Sequence, residues 1–480
     1  MSKEYNLAIQ THDLYKQYKD RWLYLLQSYM GGEFYRQAEL LTRYQYETPA
    51  EYAERLATTP LDNHCRGIIG VYNSFLFRDG ADREFGILST DPAVYEFLED
   101  ADLEGRSLDS FMKDVATWSS VFGSCWIIVS KPQTNALTRA DELNQGVRPY
   151  VSLVTPLAVL DWRWTRAPNG YYFLTYLKVL EDGEMAGSRV VKEWTPDEIV
   201  TTVIDDEKKE VIEKIIEING LGRIPAVLAY SQRSPIRGIG LSDIDDIADQ
   251  QRAIYNEYSE IEQSIRIQGH PSLVKTADVE ATAGAGAIVQ MPDNLDPGLK
   301  PYLLEPNAQN VGSIYASIEN RVKSIDRMAN MGSVRTNNTQ ALSGVSREVE
   351  FQMLNARLAE KADNLELAEE QLWSLWAQYQ GRVWDGSVEY PDNFGVHDKK
   401  AELEKLQMSM ALAANDPTLQ RMIEFRVRDM VVGDESPESI QEDQIEQQAV
   451  FNELLNGVAA DPATDLEEVN QDVAQDKQED

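Results

Sequence analysis

Cysteine is almost missing from this 480-residue chain: Cys65 and Cys125 are its two thiols. A disulfide framework is excluded, and both read as small buried apolar residues in a reducing compartment. Histidine is equally sparse. His12, His64, His270 and His397 show no metal-ligand spacing, and CxxC, HExxH and a Walker lysine behind a glycine loop are all lacking. Long apolar runs are absent too. Ile68 to Phe77 and Cys125 to Val129 are too short to span a bilayer, and MSKEYNLAIQ has no signal-peptide core. The expectation is a protein made and used in the cytoplasm or released by lysis, with no membrane partner. Positive charge is the last shortage: 45 Lys and Arg face 80 Asp and Glu, a formal charge of −35. Such a surface is poorly suited to tight binding of nucleic acid or membrane, since both are anionic.

What is present suffices for real cores. Apolar residues make up 42% and aromatics 9%, and the length fits two to four domains. From Gly433 onward there are 15 Asp and Glu against one Lys, so part of the acidity is a tail.

The pattern predicts an α+β, predominantly helical chain. "TPAEYAERLATTPLDNHCRGIIGVYNSFLFRDG" opens on a capping box, with Thr48 as N-cap, Pro49 at N1 and Glu51 at N3. After Pro60 a second helix carries Ile68, Ile69, Val71, Tyr72, Phe75 and Leu76, and two more amphipathic helices follow. The period then shortens through "CWIIVSKP", "YVSLVTP", "YYFLTYLKVLEDGE", "SRVVKEW" and "IVTTVI", with a hairpin turn at Asp182-Gly183. At Ser242, a candidate N-cap, the helical period returns, with Asp243 and Asp245 in a first turn that the helix dipole favours. Short strands around Leu273, Ile288-Val289 and Tyr302-Leu304 follow, expected to pair across subunits because they are too short to build a core. Next come a helix from Val311 to about Met331, a polar Asn/Thr loop, and one very long helix running to about Val383. The long helix carries an apolar stripe of Leu354, Leu358, Ala362, Leu365, Ala368, Leu372, Leu375, Tyr379 and Val383.

Few motifs point to chemistry. "GAGAIVQ" at Gly284 leads into a strand-like run, not a helix N-terminus, and "RGIGLSD" lacks a third glycine. "DIDDIAD" (Asp243, Asp245, Asp246, Asp249) offers carboxylates, but a capped helix start explains the first two. No catalytic residue, metal or cofactor is predicted. The cations Arg321, Lys323 and Arg327 stand close on one helix and read either as partners of neighbouring carboxylates or as weak phosphate contacts.

The order of these elements resembles the portal protein family of tailed double-stranded DNA bacteriophages. The likeness lies in "LATTPLDNHCRGIIGVYNSFLFR", "LEGRSLDSFMKDVATWSSVFGSCWIIVSKP", "RGIGLSDIDDIADQQRAIYNEYSEIEQSI", "GAGAIVQMPD", "YLLEPNAQNVGSIYASIENRVKSIDRMANMG" and "LSGVSREVEFQMLNARLAEKADNLELAEEQLWSLWAQYQG". The resemblance implies a homo-oligomeric ring, typically a dodecamer, at one capsid vertex, through which double-stranded DNA passes transiently and without sequence preference. Its implied partners are the terminase, the major capsid protein and a head-completion or adaptor protein. It implies a wing (1–240), a first stem helix (241–268), a clip (269–308), a second stem helix (309–332) and a tunnel loop (333–343). A spine helix with its link (344–396), crown-like helices (397–456) and an acidic tail (457–480) complete the division. By the same implication Arg335, Asn337, Asn338, Thr339 and Gln340 contact DNA, Arg321, Lys323 and Arg327 line the channel, and Lys275 and Lys300 serve docking at the clip. Two other readings stay open: a virion ring, adaptor or scaffold, that encloses no DNA, and an enzyme whose site leaves no motif.

Overall fold

The computed structural model describes residues 3–132, 141–142, 145–183, 187–269, 272–274, 302–304, 309–332 and 344–394, together with Leu406, Ser409, Met410 and Ile423. Five helices come first: α1 (Lys3–Ala8), α2 (Asp13–Met30), α3 (Gly32–Gln37), α4 (Pro49–Thr58) and α5 (His64–Leu76). The capping box of α4 forms as expected. Thr48 Oγ1 accepts from the Glu51 amide at 3.3 Å, and the Glu51 carboxylate accepts from the Thr48 amide at 2.9 Å. Ile68, Ile69, Tyr72 and Leu76 make the buried stripe of α5. The strand β1 (Asp82–Glu84) leads to α6 (Pro92–Glu99) and α7 (Leu108–Phe122), capped by Asp91 and Ser107.

Eight strands follow: β2 (Ser124–Ser130), β3 (Tyr150–Val154), β4 (Val159–Arg166), β5 (Tyr172–Asp182), β6 (Ser188–Trp194), β7 (Glu198–Asp205), β8 (Glu210–Ile218) and β9 (Ala226–Tyr230). They form two antiparallel sheets, β3-β2-β9 and the meander β4-β5-β6-β7-β8. Central β2 is buried along almost its whole length, which is why it reads as an unbroken apolar run rather than an alternating one. Its Trp126 stands opposite Val154 on one side and Leu228 on the other. The β5–β6 connection is longer than an Asp-Gly two-residue turn, since β5 runs through Asp182 and β6 begins at Ser188.

The pair β10 (Gln232–Arg233) and β11 (Gly240–Leu241) introduces α8 (Asp245–Gly269). Then come β12 (Ser272–Val274), β13 (Tyr302–Leu304), α9 (Gln309–Met328), α10 (Gly344–Tyr379) and β14 (Ser387–Glu389), which pairs with β1. The short strands β12 and β13 pair antiparallel with each other within the chain. The expected strand at Ile288-Val289, the loop 333–343 and the tail 457–480 lie outside the described residues.

Helix α10 has 36 residues and so runs about 54 Å. Its stripe is buried as expected: Leu354, Leu358, Ala362, Leu365, Ala368, Leu372 and Leu375 all face the core, and each buried leucine contributes roughly 1.5–3 kcal/mol. The helix stops at Tyr379, before the expected Val383, which is 73% exposed. Gly381 takes the left-handed conformation (φ 66°) while its amide bonds to Gln378 O and that of Arg382 to Ala377 O, a Schellman termination. The core lies where α2, α5, α7 and α10 meet the three-stranded sheet. The chain divides into two units, Met1–Phe394 and Gly395–Asp480. The expected crown-like helices fall in the second, where four residues are described, all helical.

At one point two backbones touch. Gly123, at φ 87°, ends α7, and a Cβ on it would stand 2.4 Å from the Gly240 carbonyl carbon; one on Gly240 would stand 1.9 Å from Gly123 O. Neither obstacle is a movable side chain. Gly240→Ala is expected to cost about 1–3 kcal/mol, read as a lower urea midpoint, whereas an unchanged midpoint would mean the two segments separate freely.

Candidate functional site

Helices α8 and α9 pair antiparallel, with the β12–β13 ladder closing their far end. Glu257 of α8 accepts from Ser317 Oγ at 2.8 Å and from Arg321 Nε at 2.9 Å, while Arg321 Nη1 donates to Gln250 Oε1 at 3.1 Å. Residue numbers rising on α8 thus meet numbers falling on α9. Ile254, Ile261, Ile318 and Ile325 are buried in the shared core.

The three cations of α9 separate. Arg321 faces α8 and is held by Glu257. Lys323 points outward, its side chain 64% exposed and its ammonium 4.0 Å from Glu319. Arg327, four residues on, is exposed in the last turn, where the helix dipole favours a cation. Arg335, Asn337, Asn338, Thr339 and Gln340, and likewise Lys275 and Lys300, lie outside the described residues.

The foot of this hairpin holds a buried charge cluster that the sequence did not announce. Asp243 was expected in the first turn of the helix, held there by the helix dipole. It lies two residues before α8, its side chain fully buried, and receives Lys361 Nζ at 2.5 Å and Arg357 Nη2 at 3.1 Å. Lys361 Nζ also donates to Ser120 Oγ (2.8 Å) and Ser231 Oγ (2.6 Å). Burial alone would raise the Asp243 pKa, but the charges of Lys361 and Arg357 hold it below the ordinary carboxylate range. Ser242 Oγ accepts from the Ile244 amide at 3.1 Å, so it caps the turn that leads into α8.

The other foot is tied to the same helix. Arg357 Nη1 donates to Met328 O at 3.0 Å and the Tyr72 hydroxyl to Ala329 O at 2.7 Å, satisfying carbonyls that a helix end leaves open. Asn330, at φ 54°, closes α9 in the left-handed conformation with Met331 N bonded to Asp326 O. One turn of α10 therefore grips the start of α8 and the end of α9 together. One signal for this was available: Lys361 is three residues after Leu358 and four before Leu365, on the apolar stripe itself.

The N-terminal segment braces the outer side of α8. Arg21 binds Asp245 at 2.6 Å and Asp249 at 2.9 Å; buried Arg55 joins Glu47 and Ser259; Tyr44 binds Glu260 and Arg266 binds Glu54. Among the described residues no group of three or more His, Cys, Asp and Glu is placed to hold a metal ion, and no helix is long and apolar enough to cross a membrane.

No family model matches the sequence, and no curated protein matches it. Among solved structures the chain is similar to one from the neck of an empty gene transfer agent (GTA) particle computed with C6 symmetry. The identity is 9%, the TM-score 0.44, and the match covers 81% of this chain and 95% of that one. It is also similar to a chain of the virion of a native GTA particle, at 9% identity and a TM-score of 0.41, covering 80% of this chain and 94% of that one.

Proposed function

We propose that this chain is a portal-type virion subunit, one copy of a ring at a capsid vertex through which double-stranded DNA is packaged and ejected, and that it catalyses no reaction. The observation that carries this reading is the helical hairpin closed by a strand pair at its tip and gripped at both feet by one long helix. A conduit wall needs such an element, stiff along its length and anchored in a core. In a ring, terminase and later an adaptor would dock at the hairpin tip, and the capsid protein would surround the sheet-bearing part. Negative-stain class averages of the purified protein test this. Rings with a hole wide enough for a duplex are expected; rings without one would favour an adaptor or scaffold, and monomers alone would overturn both.

Within that reading Lys323 and Arg327 form two cationic rings on an acidic wall. Each would meet a passing phosphate for a fraction of a kcal/mol, about the strength of an exposed ion pair, enough to centre DNA without holding it. Lys323→Gln with Arg327→Gln is expected to leave ring assembly and the melting temperature unchanged and to lower the nuclease-resistant DNA retained per filled head. Unchanged retention would mean the two side chains are simply solvated.

A further inference from the structure

A groove of about 650 Å³ opens beside β9, a volume in the usual range for ligand sites. Its walls carry Arg223, Arg233 and Arg237, a concentration of positive charge against the composition of a chain at −35. Arg21, Arg55, Arg83, Arg106, Arg148 and Arg189 all stand beside carboxylates. The groove arginines have no carboxylate within ion-pair distance among the described residues. Arg237 instead lies 3.8 Å over the Tyr172 ring and 5.7 Å over Trp164, and Arg233 lies 5.7 Å over Tyr230. Arg223 donates to Ser374 Oγ at 3.2 Å. Trp164, which lines the groove, has its Nε1 buried without an acceptor among the described residues.

A guanidinium stacked on a ring is fixed in orientation and keeps its in-plane N–H groups free, a fork that matches a carboxylate. Two facts favour peptide over nucleic acid. Three of the rings that bases would stack on, Trp164, Tyr172 and Tyr230, already carry an arginine. The chain's overall negative field also opposes a long polyanion more than a short segment. The occupant would lie extended, since β9 ends its sheet and its outer backbone groups pair with no strand among the described residues. We propose that this groove docks an extended acidic peptide of a partner protein, its carboxylates received by Arg223, Arg233 and Arg237.

The test uses the full chain and a short fluorescein-labelled peptide of glutamates interrupted by leucines, followed by anisotropy. Saturable binding that weakens with added salt is expected. Each single Arg→Gln change should weaken it about tenfold, the loss of one charge-assisted hydrogen bond, and the triple change should abolish it. Gln371→Glu, on the exposed helical wall, places a carboxylate in the groove without touching the arginines and should weaken binding similarly. Absence of saturable binding, or binding untouched by the triple change, would overturn the proposal. So would a thymidine oligonucleotide that displaces the labelled peptide at lower concentration than unlabelled peptide does, which would assign the groove to single-stranded nucleic acid. Binding by monomer that disappears on assembly would assign it to a second copy of this chain.

Discussion

Replacing Lys361 with methionine is expected to lower the unfolding free energy by about 3–5 kcal/mol, the usual cost of removing one partner from a buried ion pair. Asp243 would keep Arg357 at 3.1 Å and Ser231 at 2.9 Å but lose its closest cation, and Ser120 and Ser231 would each lose a donor. Urea unfolding followed by tryptophan fluorescence reads the change. Asp243→Leu combined with Lys361→Met should recover only part of the loss, because it removes the unpaired carboxylate but leaves Arg357 and Ser231 without the acceptor that Asp243 supplied. A single-variant loss below about 1 kcal/mol would place the pair among weak surface contacts. The acid limb gives a second reading. Asp243 titrates below its ordinary 3.8 when folded, so its contribution is fully present above that value and is lost as the pH falls through the folded pKa. The double variant should lack this part of the acid sensitivity.

The second large effect is expected at Glu369, fully buried on the same helix. Its carboxylate accepts from Arg83 Nε at 2.5 Å, the Tyr390 hydroxyl at 2.7 Å and Trp373 Nε1 at 3.1 Å. Glu369→Leu leaves those donors without their acceptor and Arg83 with Asp109 alone, at 2.7 Å. A loss of about 3–5 kcal/mol is expected, with faster amide exchange in the β1–β14 pair, which has Arg83 at its centre and Tyr390 just after it. Exchange unchanged there would show that the strand pair stands without the carboxylate. Burial first, and Glu369 second, raise the Tyr390 hydroxyl well above 10. The stability tied to that neutral phenol is therefore present below pH 10 and falls as the pH rises beyond it. Glu369→Leu should leave a shallower alkaline decline.

The parts of the fold that were legible are those where one physical rule acts alone. The stripe on α10 shows because leucine recurs at helical spacing, and the α4 cap shows because Thr48, Pro49 and Glu51 occupy fixed offsets. β4 and β8 were both passed over, for different reasons. β4 does alternate, with Leu160, Trp162 and Trp164 set between Asp161, Arg163 and Thr165, so its signal was present; the exposed edge strand β8 mixes isoleucines with Glu213, Lys214 and Glu217 and shows no period of two. Lys361 and Glu369 were passed over because charges are ordinarily solvated, although both occupy stripe positions. Of the α9 cations, sequence spacing puts Lys323 and Arg327 on one face, and the structure separates Arg321 from them by its contact with Glu257. No spacing rule could name that partner 64 residues away.

Gripped at its feet, the α8–α9 hairpin is mechanically a cantilever. A load at the tip produces a bending moment that is greatest at the root, where Lys361, Asp243 and Arg357 stand. The two arms are not supported alike. The 25 residues of α8 span about 37 Å, and side contacts from Arg21 at Asp245 to Glu54 at Arg266 shore up most of that span. α9 is tied to α8 through Glu257 and Gln250, and to α10 at its foot through Arg357. A sideways push at the tip is therefore shared between the two arms, and α8 hands part of it to the N-terminal segment before it reaches the root.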